Sequence, residues 1–323
     1  MGAILFLLHA EYGGKNMNAI AQLLTSFGLA LDTSAEAFGE LRDSADLVDE
    51  PDALRARMQE DGYLFLRGYL DRDEVLEARA EITNRLARSG LLDEGYPVMD
   101  AISKPGTTGV DFEPLTADNA PLQKLLYSGR MIDLYTRFLG GAVRHYDFTW
   151  FRAVSGGGNG IYPHCDVVYM GRGTRNLFTA WTPIGDVPVE VGGLMILENS
   201  HRKADKLRNY LDRDVDAYCT NYPDAAEIES GKKQWQDWDG RLSSNPVSLR
   251  EKLGGRWLTT EFEAGDVLTF TMGTIHASLD NHSNRFRLSS DSRYQLASEP
   301  VDERWVGKKP YAHGPEGKKG KVC

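Results

Sequence analysis

The stretch HASLDNHSNRFRLSSDSRYQ, residues 276–295, decides the fold of this chain. Within it, polar and apolar side chains alternate: the polar set is Arg285, Arg287, Ser289, Asp291 and Arg293, and the apolar set is Phe286, Leu288 and Tyr294. Successive side chains of a β-strand point to opposite faces, so the alternation predicts a strand with one polar face. That face suits either a barrel interior that holds an anionic ligand or a sheet surface in solvent, and periodicity alone does not separate the two.

Short β-rich runs occupy the chain from about residue 143 onward, and they include VRHYDFTWFRAV, IYPHCDVVYM, NLFTAWTPIG, GLMILEN, RWLTTEF and DVLTFT. The preceding part is predicted to be helical, in DEPDALRARMQEDG, in DRDEVLEARAEITNRLARSG and near 120–128 and 130–139. Helices followed by many short strands are typical of an α+β domain built on a sandwich or barrel. We expect a single domain over residues 17–307, with a β core at about 143–297.

Three segments are expected to lie outside that β core. Residues 1–16 contain a short apolar run and are interpreted as an upstream extension. Residues 200–254 form a polar insertion that is interpreted as a lid and specificity element, with the aromatic residues Tyr210, Tyr218, Tyr222, Trp235 and Trp238. The lysine-rich residues 308–323 are expected to be a solvated basic tail rather than a phosphate-binding arm.

The composition excludes some classes of partner. The chain has 323 residues with 37 Lys plus Arg against 47 Asp plus Glu, a formal net charge of -10. This balance argues against general binding to nucleic acid or to an anionic membrane. Three cysteines, Cys165, Cys219 and Cys323, are too few and too scattered to predict a disulfide framework, so a reducing cytoplasmic location is the default. Monomer and small homo-oligomer both remain open.

Two His-x-Asp patterns are candidates for a metal site. His164 and Asp166 would point the same way on a strand, and His276 on a neighbouring strand would complete a set of two histidines and one carboxylate. That set holds Fe(II) on one face and leaves positions open for oxygen and an organic co-substrate. His145 and Asp147 match the same pattern, so spacing by itself gives only a modest preference for His164.

Three motifs resemble the phytanoyl-CoA dioxygenase (PhyH-like) family, namely HCD at 164–166, GGLMILENSHR at 192–202 and HASLDNHSNRFR at 276–287. The resemblance covers about residues 55–300, and Glu198-Asn199 departs from the family's usual turn. It implies a double-stranded β-helix (a cupin-like jelly roll) with the N-terminal helices packed on its outside. It also implies an enzyme dependent on Fe(II), 2-oxoglutarate and O2.

The same resemblance assigns roles to individual residues. It implies His164, Asp166 and His276 as the iron ligands and makes His145, His201 and His282 non-ligands. Arg287 and Ser278 would bind the distal carboxylate of 2-oxoglutarate, with Trp181 lining its pocket. Thr149 and Arg152 are weaker candidates for the other end of the co-substrate, and Arg285 is the fallback if the strand register slips. No catalytic side chain is assigned beyond the iron ligands.

The resemblance implies hydroxylation of an unactivated C–H bond of a small organic molecule, with release of succinate and CO2. The intact carboxylate of Asp166 favours this over halogenation, because the halogenases of this superfamily have a small residue at that position. A CoA thioester is disfavoured as substrate, since the acidic chain has its only basic cluster in the tail. The alternative is a metal-binding jelly-roll protein without oxygenase activity, either epimerase-like or a binding module.

Overall fold

A computed structural model describes residues 24–233 and 238–323 of the chain. The expected extension at residues 1–16 lies outside the described residues, as does Trp235 of the insertion. In the part that is described, no helix is both long enough and apolar enough to cross a lipid bilayer.

In the described chain the longer helices precede residue 143 and most strands follow it, as the sequence predicts, but four short strands lie before residue 67 and four short helices after residue 166. The α-helices are α1 (Pro51–Asp61), α2 (Arg72–Arg88), α3 (Glu113–Thr116), α4 (Ala120–Tyr127), α5 (Gly129–Leu139), α6 (Val167–Met170), α7 (Ala204–Leu211), α8 (Ala225–Glu229) and α9 (Pro246–Leu253). The strands are β1 (Thr25–Ser26), β2 (Leu29–Ala30), β3 (Phe38–Glu40), β4 (Tyr63–Leu66), β5 (Val143–His145), β6 (Trp150–Val154), β7 (Phe178–Pro183), β8 (Leu194–Leu197), β9 (Ala217–Cys219), β10 (Trp257–Thr259), β11 (Val267–Thr271), β12 (His276–Ser278), β13 (Arg287–Leu296) and β14 (Lys319–Lys321). Short 3₁₀ turns occur at Ala45–Leu47, Val98–Asp100, Val189–Val191, Ser200–Arg202, Glu303–Trp305 and Pro315–Gly317.

Helix α2 shows why the N-terminal part is helical and where it packs. The Asp71 carboxylate accepts hydrogen bonds from the backbone N–H groups of Asp73 and Glu74, so it caps the first turn. The buried positions of the helix recur at helical spacing and include Val75, Ala78, Ile82 and Leu86. This apolar stripe joins the cluster that lies between the helices and the larger sheet.

Two sheets build the core. The larger has the strand order β4-β11-β7-β13-β5, with β6 also paired to β13, and the smaller has the order β12-β8-β10-β3. Side chains from both sheets, including Trp181, Leu194, Ile196 and Phe270, form one buried cluster. The two sheets therefore face each other in a double-stranded β-helix, and the helices cover the outside of the larger one. The predicted fold class is confirmed.

Strand β13 shows the predicted alternation and settles which way its polar face points. Arg287, Ser289, Asp291 and Arg293 are all buried. Leu288 and Tyr294, on the other face, join the cluster shared with the helices. The polar face therefore lines the interior of the barrel and is not a solvent-exposed sheet surface. Arg285 is exposed and lies before the strand begins, so the register has not slipped.

The insertion at 200–254 contains α7, β9, α8 and α9 and packs against the outer face of the smaller sheet. Tyr210 and Tyr218 are buried and Tyr222 is exposed, whereas Trp238 is partly buried and has the Arg213 guanidinium stacked 3.4 Å above its ring. The Tyr210 hydroxyl donates to the carbonyl of Gly240 and accepts from the N–H of Cys165, at 2.8 and 3.0 Å. The insertion thus supports the segment that carries the candidate metal ligands, while its role as a lid stays a prediction.

The C-terminal residues pair with the insertion. Strand β14 runs parallel to β9, with Gly320 opposite Tyr218. This pairing places Cys219 and Cys323 side by side with their Cα atoms 5.5 Å apart, and the two form a disulfide bond. The spacing of the three cysteines did not predict this bond, because a strand pairing brings together residues 104 positions apart. The expected solvated tail is likewise held to the protein, although Lys319 and Lys321 remain exposed.

Candidate metal centre

The two histidines of the predicted triad lie on adjacent backbone segments. His164 and His276 form an antiparallel β-bridge, in which each N–H donates to the other's carbonyl at 3.1 and 3.0 Å. Their imidazole centroids are 4.1 Å apart. Each Nδ1 lies near a backbone carbonyl two residues upstream, 2.9 Å from that of Tyr162 and 3.1 Å from that of Thr274. Both rings therefore direct Nε2 to a common point.

Asp166 reaches the same point by a different route from the one predicted. The prediction placed His164 and Asp166 on one strand, but the backbone of Asp166 is helical (φ −65°, ψ −24°) and opens α6. Its Oδ1 atom lies 3.8 Å from His164 Nε2 and 3.7 Å from His276 Nε2. The three side chains are buried, and they offer ligand atoms that all lie within 4.8 Å of one another. This group could hold a metal ion.

The second carboxylate oxygen of Asp166 is held by the larger sheet. The Thr179 hydroxyl and the Arg293 guanidinium both donate to Oδ2, the latter at 3.1 Å. Burial by itself would raise the pKa of Asp166, but the Arg293 guanidinium, together with the hydrogen bond from Thr179, holds the pKa well below its usual range. Asp166 is therefore an oriented carboxylate whose Oδ1 remains available to a metal.

The chemistry of the donor set fits an iron ion. Burial, with the neighbouring His276, lowers the pKa of His164 to about 3, and burial also lowers the pKa of His276. Both imidazoles are thus neutral near neutral pH, the state in which a histidine binds a metal. Two neutral imidazoles and one carboxylate are the facial set that non-haem Fe(II) oxygenases use.

The second His-x-Asp pattern does not assemble a comparable site. His145 Nδ1 lies 2.9 Å from the carbonyl of Tyr146, and its ring stacks on Tyr127 at 4.4 Å between centroids. Asp147 accepts from the N–H of Gly307 and lies largely exposed. No third metal-ligating side chain joins this pair among residues 24–233 and 238–323. His145 is therefore a packing residue.

Arg287 and Ser278 offer unused hydrogen-bonding capacity inside the barrel. Arg287 is 1% exposed, and its Nη1 donates to the Gly192 carbonyl at 2.7 Å. Its Nε and Nη2 atoms have no partner among the described residues. Ser278 accepts from the N–H of Ile161 at 2.8 Å, which leaves its own hydroxyl proton free to donate. Burial, with the nearby Arg152, lowers the pKa of Arg287 to about 10. A carboxylate bound here would satisfy these donors.

The three remaining predicted co-substrate residues occupy different places. Arg152 faces the interior, where its Nε atom lies 3.5 Å from Asp291 Oδ2. Trp181 also points inward, but it packs on Phe262 at 4.6 Å between centroids and is not part of the cavity wall next to the triad. The Thr149 hydroxyl lies 2.6 Å from that of Tyr127, on the helix side of the sheet. Thr149 precedes β6 and does not line the cavity beside the triad, and its assignment to the co-substrate stays a prediction.

A cavity of about 310 Å³ opens beside His164 and Asp166. Its aromatic lining residues are Phe27, Trp150, Tyr162 and Tyr169, and its polar groups include Arg152, Arg293 and His313. Sequence reasoning placed Arg293 on the polar face of β13 but gave it no role, and it missed Thr179, Tyr169 and His313. Alternation along β7 could have indicated Thr179. No local pattern indicated His313, which arrives from the C-terminal segment.

Fold and site together define a class of protein: a jelly-roll protein whose two histidines and one carboxylate match the ligand set of non-haem iron oxygenases. The family model described as phytanoyl-CoA dioxygenase (PhyH) matches residues 58–289, which is more than half of the chain. The chain therefore belongs to the phytanoyl-CoA dioxygenase family, as its motifs indicated.

Individual relatives agree with this placement. The 1-deoxypentalenic acid 11-beta-hydroxylase of Streptomyces exfoliatus is 25% identical over 265 residues, which are 79% of this chain and 85% of the relative. The solved structure of EctD from S. alaskensis with 2-oxoglutarate and 5-hydroxyectoine shares the fold at a TM-score of 0.54 and 17% identity, covering 93% of this chain and 99% of EctD. The non-heme alpha ketoglutarate dependent epimerase SnoN from nogalamycin biosynthesis shares it at a TM-score of 0.52 and 19% identity, covering 81% and 93%.

Family membership and the triad identify the protein as a non-haem iron, 2-oxoglutarate-dependent dioxygenase. The enzyme class and the cofactors that the motifs implied are confirmed.

Proposed function

We propose that the protein hydroxylates an unactivated C–H bond of a small organic molecule held in the aromatic cavity. The observation that supports this most strongly is the convergence of His164, Asp166 and His276 on one point at the edge of that cavity. The curated relative named above is a hydroxylase of an organic acid, which favours the same type of reaction here.

His164, Asp166 and His276 would hold the iron, and Arg287 with Ser278 would bind the distal carboxylate of 2-oxoglutarate. The Nε and Nη2 atoms of Arg287, which have no partner among the described residues, support that second assignment, because buried N–H donors without partners are costly and a carboxylate is their best complement. When bound, iron and 2-oxoglutarate supply the oxidising chemistry, in which O2 is used and 2-oxoglutarate becomes succinate and CO2.

The residues of the chain orient the reactants. Thr179 and Arg293 fix one oxygen of Asp166, so that the other faces the metal position. The aromatic side chains offer apolar surface against which the C–H bond of a substrate would pack. A cavity of about 310 Å³ suits a small molecule better than a whole CoA thioester.

The direct test is the visible charge-transfer band of the anaerobic protein with Fe(II) and 2-oxoglutarate. The wild type should show the band. Asp166→Ala should lose it because a metal ligand is missing, and Arg287→Ala should need at least about tenfold more 2-oxoglutarate to reach it, because a charge-assisted hydrogen bond to a buried carboxylate is lost. Screening of small-molecule libraries for substrate-stimulated succinate release would follow.

Matched variants exist for both changes. Asp147→Ala alters the other His-x-Asp pair, and Arg285→Ala removes an exposed arginine two positions before Arg287. Both should keep the wild-type band and the wild-type 2-oxoglutarate requirement. An unchanged requirement in Arg287→Ala would refute its placement, and absence of the band in folded, iron-loaded wild type would favour the metal-binding protein without oxygenase activity.

Other expectations belong to the same proposal. They are a small-molecule partner rather than nucleic acid or membrane, a monomer or small homo-oligomer, and a cytoplasmic location. The cytoplasmic location was expected because the cysteines did not predict a disulfide framework. The Cys219–Cys323 bond removes that support, since disulfide bonds are rare in the cytosol. Subcellular fractionation and light scattering of the purified protein test these expectations.

A further inference from the structure

The C-terminal segment, residues 302–323, carries an imidazole to the wall of the metal cavity. His313 lines that cavity together with His164. The ring of Tyr169 lies between the two imidazoles, with its centroid 5.5 Å from that of His164 and 6.1 Å from that of His313. The family match ends at residue 289, so this contribution to the wall comes from outside it.

The loop that carries this imidazole is held on both sides. The N–H of Ala312 donates to the Arg304 carbonyl at 2.9 Å. On the other side, the Arg172 guanidinium donates to the Gly317 carbonyl at 2.6 Å. The imidazole ring packs edge-on against the Trp305 indole with centroids 4.8 Å apart. These contacts therefore hold the imidazole ring in one orientation.

Asp216 occupies one ring nitrogen of His313 and leaves the other available to a ligand. Its Oδ2 atom lies 2.8 Å from His313 Nδ1 and 2.6 Å from Arg304 Nη1, while Lys318 Nζ lies 3.2 Å from Oδ1. The Asp216 side chain is 2% exposed and that of His313 is 42% exposed, so the carboxylate is buried while the imidazole remains accessible to a ligand. No hydrogen-bond partner of His313 Nε2 is found in the part of the chain that the structure describes.

The charges around Asp216 balance without the histidine. The network contains three carboxylates and three cations, namely Asp214, Asp216 and Asp302 with Arg172, Arg304 and Lys318. An imidazole that carries a proton on Nδ1 can donate it to Asp216 whether or not Nε2 is protonated. In the tautomer with its proton on Nδ1, the lone pair of Nε2 is an acceptor.

We propose that His313 is a specificity residue whose Nε2 accepts a hydrogen bond from a hydroxyl or amine of the substrate, with Asp216 as its positioning residue. The inference rests on the proposed function and narrows its substrate class. Four aromatic side chains line the cavity beside two arginines, so the preferred ligand is a compact ring-containing compound with at least one hydrogen-bond donor. A carboxylate would instead require a protonated His313.

The test is equilibrium dialysis of the full-length, anaerobic protein loaded with Fe(II) and 2-oxoglutarate, using three probes. 2-Naphthol carries a donor, 2-methoxynaphthalene has none, and 2-naphthoate carries an anion. Wild type should bind 2-naphthol about fivefold more tightly than 2-methoxynaphthalene, the ratio that one net hydrogen bond produces. In His313→Phe, which keeps an aromatic ring against Trp305, the ratio should fall to about one.

Two further variants sharpen the result. His313→Gln retains an acceptor oxygen and should recover part of the ratio, and Lys309→Ala, an exposed change in the same segment, should leave it unchanged. The proposal is overturned if His313→Phe has the wild-type ratio of 2-naphthol to 2-methoxynaphthalene affinity. It is also overturned if 2-naphthoate binds more tightly than 2-naphthol and this preference depends on His313. Failure of 2-naphthol to bind at millimolar concentration would overturn it as well. The charge-transfer band shows whether iron and 2-oxoglutarate bind, and it does not depend on the dialysis probes. Failure of the proposed function can therefore be distinguished from failure of the proposal for His313.

Discussion

The orientation of Asp166 depends on a single hydroxyl group, that of Thr179, and on Arg293. Thr179→Val preserves the shape of the side chain and removes the donor, so Oδ2 loses one of its two fixed partners. Loss of a residue that orients a metal ligand typically weakens metal affinity about 10- to 100-fold. We expect a loss of at least about tenfold in Fe(II) affinity, measured anaerobically by competition with a chelator.

The same strand provides the control for this prediction. Thr182 points to the opposite face of β7, is fully buried, and its hydroxyl has no partner among the described residues. Thr182→Val should therefore leave Fe(II) affinity unchanged and should not destabilise the protein. Equal affinity in the two valine variants would show that Thr179 does not orient Asp166.

At the scale of elements, the sequence predicted what depends on local periodicity. The alternation from Arg287 to Tyr294 indicated β13, and the motif containing His276 located the triad. The two-residue period failed at Asp166, where the chain enters a helical turn yet still presents the carboxylate. The pairing of β14 with β9 was not predictable, because its register depends on tertiary contacts between residues that are distant in sequence. The position of His313 in the cavity wall depends on the same contacts.

The hairpin formed by β1 and β2 is attached to the barrel mainly by one carboxylate. Asp280 accepts from the N–H groups of Phe27 and Gly28, both at 2.9 Å, and from that of Gly160 at 2.5 Å. Phe27 and Gly28 have positive φ, the conformation of a tight hairpin turn, and Phe27 lines the cavity. The position of this part of the wall therefore depends on Asp280.

We expect Asp280→Ala to release that hairpin, because the three N–H groups lose a charged acceptor. The amides of Phe27 and Gly28 should exchange with solvent at least about tenfold faster, since each bond to a charged group contributes about 1.5–3 kcal/mol. Hydrogen exchange followed by mass spectrometry measures this. Asp32→Ala, an exposed change in the same N-terminal segment, is the control, and equal exchange in the two variants would contradict the role of Asp280.

The disulfide bond connects the insertion to the C-terminus. Cys323→Ser should lower the free energy of unfolding by about 2–4 kcal/mol, because the unfolded chain gains freedom when the cross-link is absent. Urea denaturation measures this, and wild type treated with dithiothreitol should have the same midpoint as the variant. Unreduced wild type in denaturant should yield one reactive thiol, that of Cys165, and three thiols would show that the bond does not form.

At the scale of the whole molecule, the carboxylate of Asp216 joins parts of the chain that are distant in sequence. It connects the insertion to the C-terminal segment through Arg304 and Lys318. Burial by itself would raise the pKa of Asp216, but the hydrogen bond from His313 and the cation of Arg304 outweigh it and lower the pKa to about 2. The carboxylate is therefore more acidic in the folded protein than in the unfolded chain.

This difference predicts how stability depends on pH. A carboxyl group with a depressed pKa in the folded state contributes stability above its unfolded pKa of about 4 and loses it as pH falls toward the folded value. The contribution of Asp216 is about 2 kcal/mol near pH 6. We expect Asp216→Asn to be less stable than wild type by at least that amount at pH 6 and the gap to narrow steadily between pH 5 and pH 3. Urea midpoints across this range, with the exposed Glu303→Gln as control, measure the gap, and a gap independent of pH would mean that Asp216 has no special acidity in the folded protein.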